Sequence, residues 1–466
     1  MPFDDIEFGP YDKAEHIARE AFELYEAGKM PQALSQLDAA LDINPYNSSW
    51  HFNKALTLDA MNKFDEAIHE YELALELSPD DLEILNSLAV DYTRTGQYDL
   101  AIDTFEHIQQ LDSEFEPCYC NRIITYTEID QHDLAEQMFY LAQQIQPDCP
   151  LCYYNIGNSL FIRGQYKKAI HCWLKTAELE PTHPQINYRI AQAYWSDGDH
   201  PRAREHFLAE LRTNPGDIDA IFDFGLFLLE VGDIEAAKEK FSRILELRSD
   251  FAPAIFYLGE IAFNNADYEQ AVRLFDQALQ KDSSLAGPRY RLAQCALIMG
   301  KRRQAKVYLA SEVELSPENV DVLLSMASMF LAVGDTDLGI NCLLRATDID
   351  FASADAYYYL GLASTLKGRY SEAAEFFSHA LDIRPDHLCA LRASAELYLQ
   401  MGKFADAGKR IDKALSFAGE DPQLKALRRK VRFAQVAQRI ADFLGRFSPR
   451  LGSYLTFHST HRVRHQ

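Results

Sequence analysis

Residues 150–183 read PLCYYNIGNSLFIRGQYKKAIHCWLKTAELEPTH. Apolar residues recur in this stretch at three- and four-residue spacing, the mark of helices with one buried face. Gly164 falls between two such runs and suits the left-handed turn that ends a helix. Pro181 closes the second run, because proline cannot continue a helix. The stretch therefore reads as two antiparallel helices with short joints. One such pair cannot bury its apolar face alone, but a stack of them can.

The pattern returns along the chain with a constant period. Ala33, Ala67, Ala101, Ala135, Ala169, Ala203, Ala237, Ala271, Ala305, Ala373 and Ala407 form an evenly spaced ladder, with Gly339 at the missing rung. Placing these at position 20 gives twelve frames of 34 residues from Ala14 to Asp421, and the repeat array is read over residues 14–422. Position 24 is then large (Leu37, Tyr71, Phe105, Phe139, Trp173, Phe207, Phe241, Phe275, Leu309, Leu343, Phe377, Ile411). Position 8 is small in every frame but the fourth, which has Ile123. Position 15 is Gly in nine frames, and frame four has Asp130 there. Position 32 carries Pro45, Pro79, Pro147, Pro181, Pro215, Pro317 and Pro385, whereas frame ten has Phe351. Small residues at 8 and 20 let the helices approach closely, and the large residue at 24 fills the space between neighbouring frames. Frames four and ten are the expected irregularities.

At this point the chain resembles the tetratricopeptide repeat (TPR) family, whose pattern W-x2-L-G-x2-Y…A-x3-F…P has this period. Ile156-Gly157, Leu160, Ala169, Trp173 and Pro181 match it in frame five. The resemblance implies an all-α TPR-type alpha-alpha superhelix, a helical-repeat solenoid. It also implies that peptides bind along a concave face lined by positions 2, 5, 6, 9, 12 and 13 of the first helices.

The net charge is −24. Residues 425–466 carry ten Lys/Arg and one acid, a net +9, which leaves −33 for the remainder. Such a body disfavours nucleic acid, which needs a basic footprint. No run of 18 apolar residues occurs, so no membrane span is expected. The opening Met1-Pro2-Phe3-Asp4-Asp5 is not a basic, apolar signal segment, and a cytoplasmic location is expected.

Residues 1–13 read as a leader, with Phe3, Phe8 and Tyr11 stapling it over the first helix. Residues 423–447 read as a basic amphipathic helix that caps the array, as solenoids require. Leu424, Leu427 and Val431 make one apolar stripe; Val436, Ile440, Phe443 and Phe447 continue it out of phase. Arg428, Arg429, Arg432 and Arg439 lie opposite, which leaves an anionic membrane and the acidic array itself as alternative docking surfaces. Residues 448–466 read as a basic, mobile tail.

Position 5 is aromatic in seven frames: Phe52, Tyr154, Tyr188, Phe222, Phe256, Tyr290 and Tyr358. Frames five to nine thus present an aromatic ladder, with Phe161, Trp195, Leu229, Phe263 and Leu297 at position 12. Aromatic rings give contact area at little entropic cost, but they also pack between helices, and both roles stay open. With Asn155, Asn158, Arg189, Gln192 and Arg291, they form the candidate partner-binding groove. Some family members clamp chaperone C-termini. Asn155 and Arg189 match two places of that clamp, but Cys120, Ile124 and Gln185 stand at the others. Chaperone-tail recognition is therefore not expected.

Five of eight cysteines cluster: Cys118, Cys120, Cys149, Cys152 and Cys172. Cys149-Pro150-Leu151-Cys152 is a C-x-x-C at a helix start, where thiol pKa falls. A four-thiolate zinc site needs sulfurs within about 4 Å of one another. Helix axes about 8–10 Å apart allow that without ensuring it. The thiols are read as small buried groups in a reducing cytoplasm, with no cofactor. Cys118, Cys120, Cys149 and Cys152 are the candidates for the alternative, a metal or redox site.

The sequence has no phosphate loop, dinucleotide fingerprint, nucleophile elbow or zinc-protease motif. The expected function is a non-catalytic scaffold or adaptor that binds extended or helical segments of other proteins, with self-association left open. The alternative is a regulatory module in which the cysteines or the basic tail gate the groove. An enzyme ranks third.

Overall fold

The computed structural model describes residues 10–314, 319–419 and 421–445. Most of the expected leader, including Phe3 and Phe8, and the whole expected tail lie outside the described residues, as does Phe447. Twenty-five helices and no strands occur among the described residues, making this an all-α helical-repeat solenoid.

The chain divides into two compact units, Met1–Asp233 and Ile234–Gln466. The boundary falls between the two helices of frame seven. The first unit holds α1 (Pro10–Glu26), α2 (Met30–Ile43), α3 (Ser48–Ala60), α4 (Phe64–Leu77), α5 (Leu82–Arg94), α6 (Tyr98–Leu111) and α7 (Glu116–Glu128). It continues with α8 (His132–Ile145), α9 (Pro150–Ile162), α10 (Tyr166–Leu179), α11 (Ile186–Ser196), α12 (His200–Thr213) and α13 (Ile218–Glu230). The second holds α14 (Ile234–Leu247), α15 (Ala252–Asn264), α16 (Tyr268–Lys281), α17 (Pro288–Ile298), α18 (Arg302–Glu314) and α19 (Val320–Val333). It ends with α20 (Thr336–Ile349), α21 (Ala354–Leu366), α22 (Tyr370–Ile383), α23 (Leu388–Gln400), α24 (Phe404–Ala418) and α25 (Pro422–Gly445). Odd-numbered helices up to α23 are the first members of the frames.

Several of the first helices begin where a short polar side chain satisfies orphan amides, whereas Phe115, Gln185, Phe251 and Gly287 precede α7, α11, α15 and α17 without such a bond. Asp81 Oδ1 accepts from the Glu83 and Ile84 amides, 3.0 and 3.2 Å away. Asp217 and Asn319 cap α13 and α19 in the same way. Each such cap contributes about 1 kcal/mol. Cys149 occupies this column before α9, and its sulfur accepts from the Cys152 amide at 3.3 Å.

The turn inside each frame is left-handed. Glycine serves there in nine frames, and the other three residues, Asn62, Asp130 and Ala266, are held at φ 59°, 57° and 60°. The expected irregularity at Asp130 is therefore one of residue type alone: frame four keeps the common turn. Gly339 likewise sits inside an uninterrupted α20.

Position 24 packs against position 8 of its own frame. A Cβ on Gly157 would lie 2.4 Å from Trp173 Nε1, and one on Gly361 would lie 2.5 Å from Phe377 Cε1. The ring also reaches the next frame: Phe207 meets Phe224 and Phe227 at centroid distances of 5.1 and 5.7 Å. It therefore wedges three helices at once. Phe105, Phe207, Phe275 and Phe377 are fully buried, and truncating such a ring costs about 3–5 kcal/mol.

The second unit closes on α25. Leu424 and Val431 are buried, Val431 packing with Ala395, Ala407 and Ile411, and Leu427 lies against the same cluster. Arg428 pairs with Asp412 at 2.9 Å. The out-of-phase residues Val436, Ile440 and Phe443 are exposed.

Candidate functional site

The expected groove residues lie on the first helices, and each unit holds part of the set. In the first unit, Tyr154 on α9, Tyr188 on α11 and Phe222 on α13 occupy equivalent positions. Tyr154 and Phe222 are half-buried, and Tyr154 lies 4.4 Å from the His183 ring. Tyr188 is buried, and its hydroxyl donates to Asp223 Oδ2 at 2.7 Å. Burial, reinforced by that bond, pushes the phenol well above its ordinary range. Gln192 Nε2 donates to the same oxygen at 2.8 Å. Half-buried Trp195 donates its indole N–H to Glu230 at 2.8 Å and sets its ring edge-on to Phe227. Arg189 lies over the Tyr188 ring and donates to Gln192, while its Nε, buried, has no hydrogen-bond partner.

Asn155 departs from the expected lining. It is 3% exposed, and its amide donates to the Cys120 carbonyl at 3.1 Å. It serves the joint between α7 and α9 beneath the face. Asn158 is half-buried. Phe52, at the far end of the same unit, packs on Tyr71 with centroids 5.9 Å apart.

In the second unit, Phe256 on α15 and Tyr290 on α17 are half-buried. Phe256 packs on Phe275, and Tyr290 accepts a hydrogen bond from Gln294. Arg291 spans Gln294 and Glu260, at 2.8 and 2.5 Å, and lies over the Phe263 ring.

Sequence reading missed the acids. Asp223, Glu230 and Glu260 stand at positions 6, 13 and 9, within the lining set, and they are the partners of the tyrosine, indole and guanidinium. Their positions are the available signal, since positions 6, 9 and 13 belong to the expected lining whatever residue they carry.

The cysteine candidates separate. Cys120, Cys149 and Cys152 come together, and the fourth member is Glu116, not Cys118. Cys118 turns toward α6, donates to the Phe105 carbonyl at 3.2 Å, and is pushed by burial up to about 12. Its contacts with Cys120 and Cys152 hold the Cys149 thiol below its ordinary range, while crowding in the same cluster pushes the Cys120 and Cys152 thiols up. Burial, with the contact to Cys149, raises the Glu116 carboxyl to about 7.

A succession of two-helix frames whose first helices carry the rings defines a helical-repeat protein. Models of the tetratricopeptide repeat match residues 24–89 and 365–431, and residues 154–218, 222–286 and 324–387. Together these span more than half of the chain, which belongs to the tetratricopeptide repeat family. No curated protein sequence matches it. Similar solved structures include yeast Tom70, at 15% identity over 96% of this chain and 100% of that one, TM-score 0.38. YrrB, described as a TPR protein with an unusual peptide-binding site, is 21% identical over 41% of this chain and 99% of its own, TM-score 0.37. The Cut9 assembly with Hcn1 matches at 14% identity, over 91% and 96%, with a TM-score of 0.42. Among the described residues no helix is long and apolar enough to cross a membrane.

Proposed function

We propose that this protein is a non-catalytic interaction scaffold that holds peptide segments of partner proteins against its first-helix face. The observation that carries the reading is the pre-set surface of α9, α11 and α13. Tyr154, Trp195 and Phe222 are half-buried there, so part of each ring stays accessible. Trp195 and the supporting Tyr188 are fixed in place by Glu230 and Asp223. Rings held in one orientation lose little entropy when a peptide covers them. Phe256, Tyr290 and Arg291 offer a similar patch on the second unit. Asn155 supports this face from below and is not a contact. The acidic body argues against nucleic acid as the partner. The eight free cysteines suit a cytoplasmic setting.

The test uses peptides selected on the wild-type chain from a random library. Tyr154→Ala/Trp195→Ala/Phe222→Ala, checked for unchanged helicity, is expected to bind them at least tenfold more weakly. Equal affinity would move the binding surface elsewhere.

A further inference from the structure

Four metal-ligating side chains meet where α7 packs on α9. Glu116 is the first residue of α7, and Cys120 lies one helical turn further along the same face. Cys149 caps α9, and Cys152 follows in its first turn. One carboxylate oxygen and the three sulfurs all lie within 4.8 Å of one another. The Cys152 thiol already donates to Glu116 Oε1 at 2.8 Å. A tetrahedron built on zinc–sulfur bonds of about 2.3 Å has edges of about 3.8 Å. Closing the cluster on an ion therefore asks for movements of about one ångström, within reach of side-chain rotation.

Packing alone explains part of this arrangement. Cys149 stands in the capping column, and small buried thiols are ordinary core residues. It does not explain why a carboxylate is set against three thiols, accepting its hydrogen bond from a sulfur and not from a cation. All three cysteines are buried and Glu116 is half-buried, so the carboxylate marks the side from which an ion enters.

We propose that Glu116, Cys120, Cys149 and Cys152 form a four-coordinate zinc site that ties α7 to α9. Three sulfurs select a thiophilic ion over calcium or magnesium, and a three-thiolate, one-carboxylate set suits zinc. On binding, the three thiols release their protons to solvent and the carboxylate is ionised, leaving a net charge of −2 on the complex. Outer donors face that charge. The Cys152 amide reaches Cys149 Sγ at 3.3 Å, and Asn155 Nδ2 lies 3.6 Å from Cys120 Sγ. The site lies beside the first turns of α7 and α9, the ends at which a helix dipole favours negative charge. The site is closed, hence structural, and it fixes the helix that carries Tyr154.

The full chain, purified reduced and without oxygen, is loaded with zinc sulfate and desalted. One zinc per chain is expected by elemental mass spectrometry, with a melting temperature above that of the metal-free protein. Cys120→Ser/Cys152→Ser is expected to lower the zinc to background, while Cys118→Ala and Cys389→Ser keep it. Because the double variant can fail to fold, cobalt chloride provides a second reading on the wild type. Tetrahedral thiolate coordination gives intense visible d–d bands and sulfur-to-cobalt charge transfer, and Glu116→Gln shifts the d–d bands. A folded wild-type chain that retains neither metal, although all eight thiols prove reduced when counted after unfolding, overturns the proposal. So does a folded double variant that keeps its zinc, or a cobalt spectrum without sulfur charge transfer.

Discussion

The hydroxyl of Tyr188 donates to Asp223 Oδ2 across 2.7 Å, and the two residues are 35 positions apart. The same offset joins Asn155 to Cys120, Asn121 to Asn86, Trp195 to Glu230 and Arg94 to Asp59. An offset of 31 joins Gln192 to Asp223 and Arg291 to Glu260. These are one frame plus a residue, and one frame less a helical turn. Polar side chains thus stitch consecutive first helices within each unit, some beside the aromatic rings and one, Asn155, beneath them. Tyr188→Phe removes one stitch and leaves Asp223 with only Gln192. Urea unfolding is expected to show a loss of about 1 kcal/mol, with peptide affinity falling more than stability requires if this stitch orients the face.

Close packing between positions 8 and 24 predicts a coupled pair. A Cβ on Gly259 would lie 2.6 Å from Phe275 Cε1. Gly259→Ala is expected to destabilise by about 1–3 kcal/mol. Frame nine pairs Ala293 with Leu309, both fully buried, so the double variant Gly259→Ala/Phe275→Leu is expected to recover part of the loss. A double-mutant cycle with no coupling energy would refute this.

Ala266 holds φ at 60° where most frames use glycine. That conformation costs an L-residue about 1–2 kcal/mol. Glycine returns about 0.4–1 kcal/mol of it through the entropy of the unfolded chain. Ala266→Gly is expected to raise stability by about 0.5–1 kcal/mol, read as a higher urea midpoint at constant slope.

Glu70 receives Lys54 Nζ at 2.8 Å and His51 Nδ1 at 2.7 Å inside the first unit. Burial alone would raise this carboxyl, but the bonds from Lys54 and His51 outweigh it and hold the group below its ordinary 4.5. A depressed acid stabilises the fold above the unfolded pKa, and that contribution disappears as pH falls through the folded one. The wild-type melting temperature is therefore expected to drop on acidification below pH 4.5, and Glu70→Gln to show a shallower drop over the same interval.

Much of the fold was legible because its causes are local and periodic. Ala101, Phe105 and Gly96 announce their places by spacing alone, and all three occupy the expected roles. Ala266 and Asp130 were not legible as left-handed residues, since neighbouring helices impose that turn on whatever residue stands there. The site was legible in part. The rings at position 5 sit on the first helices as expected, but which of them stay open depends on partners one frame away. Asp223 was overlooked for that reason. Cys118 stands among the four sequence candidates because it lies close to Cys120 in the chain. The stack instead brings Cys152 to Glu116, 36 residues earlier, and turns Cys118 toward α6.

Repeats that share one apolar pattern invite a particular error in folding, in which a helix docks one frame out of step and still finds an apolar partner. The glycines under the large rings act against it. Trp173 in its observed pose leaves no room for a Cβ at Gly157, whereas the next frame offers Ala191 at that place and the frame before offers Ile123. Mis-stepped docking would therefore meet a clash at the very contact that the correct register rewards. The irregularities between frames act as proofreading marks, by which a repetitive chain tells its own modules apart.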